Sequence, residues 1–427
     1  MAQPAERPPA EPVATDPTDA ADRGSRLHRA FESLALRDFR LLWTSTILSG
    51  FGQWGQQIGL NWLVFVLTGS AVQLGAVSFT AGLITLLLTP FAGLLADRYP
   101  RRGIMVWSSA FGAATAGLVA LLVVTDLIEV WHAYAFALLS GISMAVNQPA
   151  RQAAVFDTST DETLQNAVAM NSIAQNLSRI VGPPLAGVIA VWSLSAAFAL
   201  IMLMRGLAAI TVLAMSRTSR QEEPAARQSP LTQIGDGFRY LGTDARLGGL
   251  WLINALPALT VYPYIALLPI FVSDVFEADA DVFGLLLAMM GVGSTIGLLV
   301  LAVLPDMAHR GRWMLLGFIV YLGFVFGFTR SDSLVLSLTL LIAGGTVHGL
   351  ALALNTTLFQ TALRNEMRGR AMAAWQMGFS LMPLGALPMG FAVDRWGVQN
   401  GVGGSVLLCL VAFVLIAIFW RPLRTMP

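Results

Sequence analysis

The sequence contains no lysine, so all 26 of its basic residues are arginine. That usage reads as the composition of a GC-rich genome and carries no functional weight. Cysteine is nearly missing as well. The single Cys409 lies in an apolar run, which excludes an intramolecular disulfide and any Cys/His metal spacing, and it is expected as a small buried hydrophobe. Charge is scarce: 12% of residues are Asp, Glu, Lys or Arg, against roughly 25% in soluble chains. With 56% hydrophobic residues and a mean hydropathy of +0.67, this excludes a soluble globular protein and predicts an integral membrane protein. The net charge of +1 argues against a nucleic-acid partner. No nucleophile elbow, zinc motif or phosphate-binding loop is found, so no enzyme activity, metal or cofactor is expected. Without a nucleotide-binding loop, any energy must come from an ion gradient or from a substrate's own gradient.

A membrane-crossing helix needs about 20 apolar residues. Twelve candidates run along the chain, at 39–67, 71–96, 103–124, 130–153, 167–191 and 193–215, then at 247–273, 282–304, 313–329, 334–360, 371–393 and 402–420. The first 36 residues are rich in Pro, Ala, Asp and Glu without an apolar core. They are expected to be a disordered cytoplasmic tail with no cleavable signal peptide. The predicted organisation is a tail over 1–36, a six-helix bundle over 37–216, a linker over 217–246, a second six-helix bundle over 247–420 and a tail over 421–427. Within the linker, Leu231, Ile234, Phe238 and Leu241 recur at helical spacing, which predicts an amphipathic helix on the membrane surface.

Orientation follows from arginine. Placing both termini inside puts Arg98, Arg101, Arg102, Arg217, Arg220, Arg227, Arg239, Arg310, Arg312, Arg364, Arg368 and Arg370 in cytoplasmic loops. Only Arg330 and Arg395 then face the other side, beside acids such as Asp126, Glu129 and Asp274. The expected location is a bacterial cytoplasmic (inner) membrane. The two halves also repeat: Gly75 and Asp97 precede Gly284 and Asp306 at one offset, Asn147 precedes Asn355 at nearly the same one, and Gly182 and Gly187 precede Gly385 and Gly390. This predicts an all-α fold of two pseudo-symmetric bundles with a site between them.

One polar turn stands out, Gly93-Leu94-Leu95-Ala96-Asp97-Arg98-Tyr99-Pro100-Arg101-Arg102, between the second and third spans. Gly93 and Asp97 share a helical face. The run resembles motif A of the major facilitator superfamily, with Pro100 where a later glycine is usual; its second-half counterpart around Asp306, Arg310 and Arg312 is degraded. The stretches Ser33–Trp43, Gly52–Gln57, Leu164–Ser172 and Ser178–Gly187 are similar to the bacterial exporter branch that includes the enterobactin exporter and the macrolide efflux proteins. The resemblance covers about 31–420. It implies alternating access, with Gly93, Asp97, Arg98, Arg101 and Arg102 as a gating motif in which Asp97 engages nearby arginine and the end of the eleventh span. Gly182, Pro183 and Gly187 resemble part of the antiporter motif of the fifth span, with Ser178 replacing one upstream glycine.

The acids are all in tails, loops or helix ends, with Asp157 and Asp394 closest to entering a span. No buried carboxylate stands out as a proton carrier, which weighs against proton antiport. The interior ionisable residues are Arg179, Arg205 and His348, with Arg151 near a helix end. Imidazole titrates near neutral pH, so His348 is the candidate proton site, and its alternative is a hydrogen-bonded packing residue. Gln53, Gln57 and Asn61, with Trp54, form a polar row on the first span; Asn171, Gln175 and Arg179 form another on the fifth. Lipid cannot satisfy such rows, so they are expected to face the interior. Asn147, Arg151, Asn254, Tyr262, Asn355 and Trp375 complete the candidate substrate pathway, and the role of Arg205 is open. Pro257, Pro263 and Pro269 are expected to bend the seventh span.

The predicted function is export of a small organic molecule, such as a drug or siderophore, by proton antiport. A lipid-flipping carrier and a non-transporting receptor or scaffold are the alternatives. Expected partners are the lipid bilayer, a small-molecule substrate and protons. Substrate identity, the coupling ion, the oligomeric state and any outer-membrane channel are left open.

Overall fold

The computed structural model describes residues 32–160, 162–216, 230–304 and 308–426; the side chains of 90, 92–98, 230, 231, 233 and 365 lie outside that description. Residues 1–31 of the expected tail, 217–229 of the expected linker, Asp306, and the side chains of Asp97 and Arg98 therefore lie outside the described residues.

Among the described residues the chain is helical, with no strand. The first half holds α1 (Arg37–Thr68), α2 (Ala71–Arg98), α3 (Arg101–Val124), α4 (Val130–Asp157), α5 (Leu164–Trp192) and α6 (Leu194–Leu213). A connecting helix α7 (Pro230–Thr243) follows. The second half holds α8 (Ala245–Thr260), α9 (Tyr264–Asp274), α10 (Ala280–Val303), α11 (Arg310–Thr329), α12 (Leu334–Ala362), α13 (Arg368–Phe379), α14 (Met382–Trp396) and α15 (Val398–Phe419), and a short α16 (Arg421–Arg424) ends it.

The breaks between helices have local causes. Gly69 adopts a φ of 59° and its amide closes on the Phe65 carbonyl at 2.7 Å, which ends α1 in a left-handed cap. The predicted bend in the seventh span is a full interruption: α8 stops at Thr260, and α9 resumes after Pro263, which has no amide to continue the ladder. The eleventh span is broken in the same way at Ser380 and Leu381, just before Pro383.

Nine helical units among the described residues are long and apolar enough to cross a membrane: α2, α3, α6, α8 with α9, α10, α11, α12, α13 with α14, and α15. The remaining long helices, α1, α4 and α5, have 32, 28 and 29 residues and carry the polar rows. Outward faces present Leu118, Leu121, Leu203, Ile210, Leu408 and Leu415, a surface suited to acyl chains. Trp107 and Trp313 are exposed near one end of the molecule and Trp131, Trp192 and Trp396 near the other, as indoles are at the two interfaces of a bilayer.

The packing repeats between halves. In the first, α2 packs on α4, α3 on α4 and α6, and α1 on α5 and α6. In the second, α10 packs on α12, α11 on α12 and α15, and α8 on α13, α14 and α15. The halves meet through α2 against α14 and α5 against α10. The glycines of the sequence repeat sit at equivalent places in these two seams. A side chain at Gly75 would strike the carbonyl of Ala386, and one at Gly284 that of Pro183; one at Gly390 would strike Ala71, and one at Gly187 Ala280.

The hydrophobic core is divided. One cluster joins the second half to the end of the first half that lies away from the chain termini, through Ile58, Leu63, Leu74, Phe198, Phe283 and others. The opposite end of the first half has its own cluster, with Phe39, Leu42, Ile104, Met105, Ala154 and Met170. The halves are thus fused at the end away from the termini and packed separately at the terminal end.

Both expected tails pack further than their composition suggests. Glu32–Ala35 forms a 3-10 turn in which the buried Ser33 donates its hydroxyl to Asn166 Oδ1 at 2.6 Å. At the other terminus, Leu423 and Met426 are buried, Leu423 lies beside Gly249, and a backbone hydrogen bond of 3.4 Å joins Gly311 to Met426.

 The Gly311 amide is the donor of that bond and the Met426 carbonyl its acceptor, which fastens the terminal segment to the start of α11.

The connecting helix α7 packs on the second half. Gly237 lets α7 approach the backbone of Arg370 at the start of α13, Asp236 pairs with Arg370 at 3.4 Å, and the Arg364 amide donates to the Tyr240 hydroxyl at 3.2 Å. Phe238 meets Trp251 edge to face, with ring centroids 5.5 Å apart.

Candidate functional site

The first half carries the polar rows of α1 and α5, and the second half a buried aromatic cluster of Tyr262, Phe318 and Tyr321 around His348. On α1, Gln53, Trp54 and Gln57 are partly exposed, while Asn61 is buried. On α5, Asn171 and Arg179 are half-buried and Gln175 is exposed. The Arg179 guanidinium lies over the Trp54 ring, 5.7 Å from its centroid. Gly182 permits this contact, because a side chain there would press on Trp54 Cβ and on Phe51.

Facing them, the Tyr262 hydroxyl and His348 Nε2 share a hydrogen bond of 2.8 Å. Tyr321 lies against the same imidazole with ring centroids 4.5 Å apart, Phe318 contacts it edge-on at 6.1 Å, and Tyr264 donates to Met290 Sδ at 3.3 Å. Arg179 is within electrostatic reach of Tyr262, Tyr264, Tyr321 and His348. Tyr262 and His348 were legible candidates; Tyr321 and Phe318 were not, because an aromatic residue in an apolar run has the same pattern whether it packs in a core or borders a cavity.

Asn147 and Arg151 sit inside the first half. Arg151 is 5% exposed and donates to Asn147 Oδ1 at 3.3 Å, and to Ser45 Oγ and Thr46 Oγ1 at 3.2 Å each. Asn147 donates to Ser108 Oγ at 2.5 Å. These bonds tie α4 to α1 and α3. Arg205, whose role was open, has a comparable place. It donates to Gln56 Oε1 at 2.7 Å and runs past Gly52 and Gly112, so it ties α6 to α1 and α3. The serines and Gln56 that receive these arginines carry no distinctive spacing.

Three members of the expected pathway are placed in helix packing in this conformation. Asn254 and Asn355 are fully buried and donate to the Trp375 and Leu250 carbonyls at 3.5 and 3.4 Å. Trp375 is 2% exposed and stacks near Phe359 at 4.2 Å. Their side chains meet neighbouring helices of the second half.

The two acids closest to the spans are engaged at helix ends. Asp157 pairs with Arg101 at 2.6 Å, and Asp394 caps the start of α2, accepting from the Ala71 amide at 2.9 Å. Of the gating motif, Arg101 thus holds α3 to α4, and Arg102 donates to the Val212 carbonyl at 3.2 Å and to that of Leu213, holding α3 to α6. The side chains of Gly93, Asp97 and Arg98 lie outside the described residues. Gly187 and the carbonyl of Pro183 lie in the α5–α10 seam against Ala280 and Gly284. Ser178, in place of the motif's glycine, donates to the Ile47 carbonyl at 3.1 Å. Among the described residues no group of three or more His, Cys, Asp or Glu is placed to hold a metal ion.

Comparison with known proteins agrees with this architecture. Residues 29–426 match the family model described as transmembrane secretion effector. The chain is 30% identical to the staphyloferrin A transporter of Staphylococcus aureus, over 87% of this chain and 94% of that protein. It is 24% identical to macrolide efflux protein A of Streptococcus pyogenes, with the same coverage of 87% and 94%. It is 27% identical to the enterobactin exporter EntS of Escherichia coli, over 73% of this chain and 74% of that one. In fold it is similar to a bacterial homologue of the human lysosomal transporter Spinster in an inward-facing, unoccupied conformation, with a TM-score of 0.68, 15% identity, and 93% and 98% of the two chains covered. The chain belongs to the transmembrane secretion effector family of major facilitator transporters.

Proposed function

We propose that this transporter exports a small organic molecule across a bacterial cytoplasmic membrane by alternating access, in exchange for protons. The observation that carries the reading is the divided core. The halves are joined at the end away from the termini, through the α2–α14 and α5–α10 seams, and are packed separately at the terminal end. Between them, Arg179, held over Trp54 in the first half, is within electrostatic reach of the hydrogen-bonded pair Tyr262 and His348 in the second. Two halves joined at one end and packed separately at the other are what a rocking-bundle carrier presents in one of its two states. With the termini cytoplasmic, this state is open to the cytoplasm. The arginine asymmetry supports that orientation, since the Arg-rich turns lie at the terminal end.

In this reading α1, α4 and α5 also cross the bilayer, giving six crossings in each half, with α7 as the cytoplasmic link. The motif from Gly93 to Arg102 closes the terminal end in the alternate state. Arg101 and Arg102 supply its fixed base, and Asp97 is the moving contact. His348 carries the coupled proton, and Tyr262 is its hydrogen-bond partner.

The test is transport by the purified chain in proteoliposomes with an imposed pH gradient. Siderophore and macrolide substrates are the first to try, because the relatives' names point there. Substrate accumulation that follows the gradient, with measured proton counterflow, is the expected result. Asp97→Asn should cut export at normal protein levels. Transport without proton movement would overturn antiport, and unchanged transport by Asp97→Asn would overturn the gating role.

A further inference from the structure

Three guanidinium groups lie within the first half, on Arg151, Arg179 and Arg205. None forms an ion pair among the described residues, where Arg101 pairs with Asp157, and Arg239 and Arg370 pair with Asp236. An arginine inside a membrane is costly and is ordinarily matched by an acid or by backbone carbonyls. Arg151 and Arg205 are held by neutral oxygens of Ser45, Thr46, Asn147 and Gln56. Arg179 differs from both: its contact is the face of Trp54, and its N–H groups make no hydrogen bond among the described residues. A guanidinium has five donors in a planar fork suited to a carboxylate.

The surroundings favour the same ligand charge. The groups within electrostatic reach of Arg179 are Tyr262, Tyr264, Tyr321 and His348, none of them an acid. An organic cation beside Arg179 would meet the guanidinium and no opposing charge. An organic anion would meet the fork of Arg179, and its ring would find Trp54, which is partly exposed under the guanidinium.

We propose that Arg179 is the substrate-recognition group and that the transported molecule is an aromatic-bearing organic anion, with a carboxylate or phenolate bound to the guanidinium. This inference rests on the export reading and narrows its substrate class. The anion completes the hydrogen bonding of Arg179 and neutralises its charge, and Trp54 holds the ligand's ring beside it.

The experiment compares two xanthene dyes of similar ring system and opposite charge, anionic carboxyfluorescein and cationic rhodamine 6G. Binding to the purified full-length chain is read by fluorescence anisotropy, and export is read in parallel in proteoliposomes. Carboxyfluorescein should bind about tenfold or more tightly than rhodamine 6G. Arg179→Gln should weaken carboxyfluorescein by about tenfold and leave rhodamine 6G unchanged. Arg179→Lys should recover part of the loss. If Arg179→Gln does not purify as a monodisperse protein, displacement of carboxyfluorescein from the unaltered chain by salicylate but not by neutral salicylamide reads the same charge requirement. Equal binding of both dyes, preference for the cation, no binding of the anion, or equal displacement by salicylate and salicylamide overturns the inference. Export of dyes without charge preference would leave the export reading standing while removing this one. Anion-selective binding with no export would do the reverse.

Discussion

The carboxylate of Asp394, near the end of α14, accepts a hydrogen bond from the backbone amide of Ala71 at the start of α2, at 2.9 Å. The Ser70 hydroxyl donates to its other oxygen at 3.3 Å. The first amides of a helix have no partner within it and form the positive end of its dipole, so a carboxylate is well placed there. These helices belong to different halves. The cap therefore exists only while the end away from the termini is closed.

Replacing Asp394 with alanine should loosen that closure. An exposed cap of this kind contributes about 0.5–1 kcal/mol, which is a roughly two- to fivefold change in the ratio of closed to open molecules. Pulsed electron-spin distances between labels on the α3–α4 and α11–α12 turns should show a larger open fraction. An unchanged distribution would mean that the cap does not contribute to closure.

The glycine seams should be far less tolerant. Gly187→Val and Gly284→Val each place a side chain against a carbonyl of the opposite half. Neither carbonyl can withdraw without moving its helix. Both variants should lose export while still reaching the membrane. Gly206→Ala, where nothing lies within 4 Å, is the control and should transport normally. Export by either valine variant at the control's rate would contradict the seam's part in the cycle.

Tyr262 and His348 separate coupling from packing. His348→Gln can keep a hydrogen bond to the Tyr262 hydroxyl but cannot titrate, so it should allow downhill substrate movement and lose the drive from a pH gradient. His348→Ala leaves the tyrosine without that partner and should in addition lower stability by about 1 kcal/mol. Gradient-driven accumulation by His348→Gln would remove the histidine from coupling.

The docking of α7 should depend on its close approach more than on its ion pair. Asp236 and Arg370 are 3.4 Å apart, with side chains 26% and 36% exposed, and such a pair contributes under about 1 kcal/mol. Gly237→Val forces the helix away from the Arg370 backbone, at a cost of about 1–3 kcal/mol. Thermal unfolding in detergent should show a clear drop for Gly237→Val and a small one for Asp236→Asn. The reverse order would identify the ion pair as the main anchor.

The architecture was legible because membrane solvent leaves few choices: apolar length gave the helices, and the glycine repeat marked both seams. Arg179, Trp54, Tyr262 and His348 were also legible, since polar groups in apolar runs are few. At Asn254, Asn355 and Trp375 the spacing did not announce the observed partners, because the same residue types meet neighbouring helices inside one half in this conformation. Asp394 was visible as an acid near a span, but its partner is a backbone amide from the other half, and no pattern in either helix announces it. The pairing of Arg205 with Gln56 was hidden for a similar reason, because it depends on two distant glycines that leave room for the side chain.

Alternating access is tested most directly by locking the closed end. Cysteines replacing Ser70 and Asp394, whose side chains touch in this conformation, can be introduced into a Cys409→Ala background, since Cys409 is the chain's single cysteine. Export should stop when the pair is oxidised and return on reduction, with substrate still binding from the terminal end. Undiminished export by the oxidised protein would contradict a cycle in which this end must open.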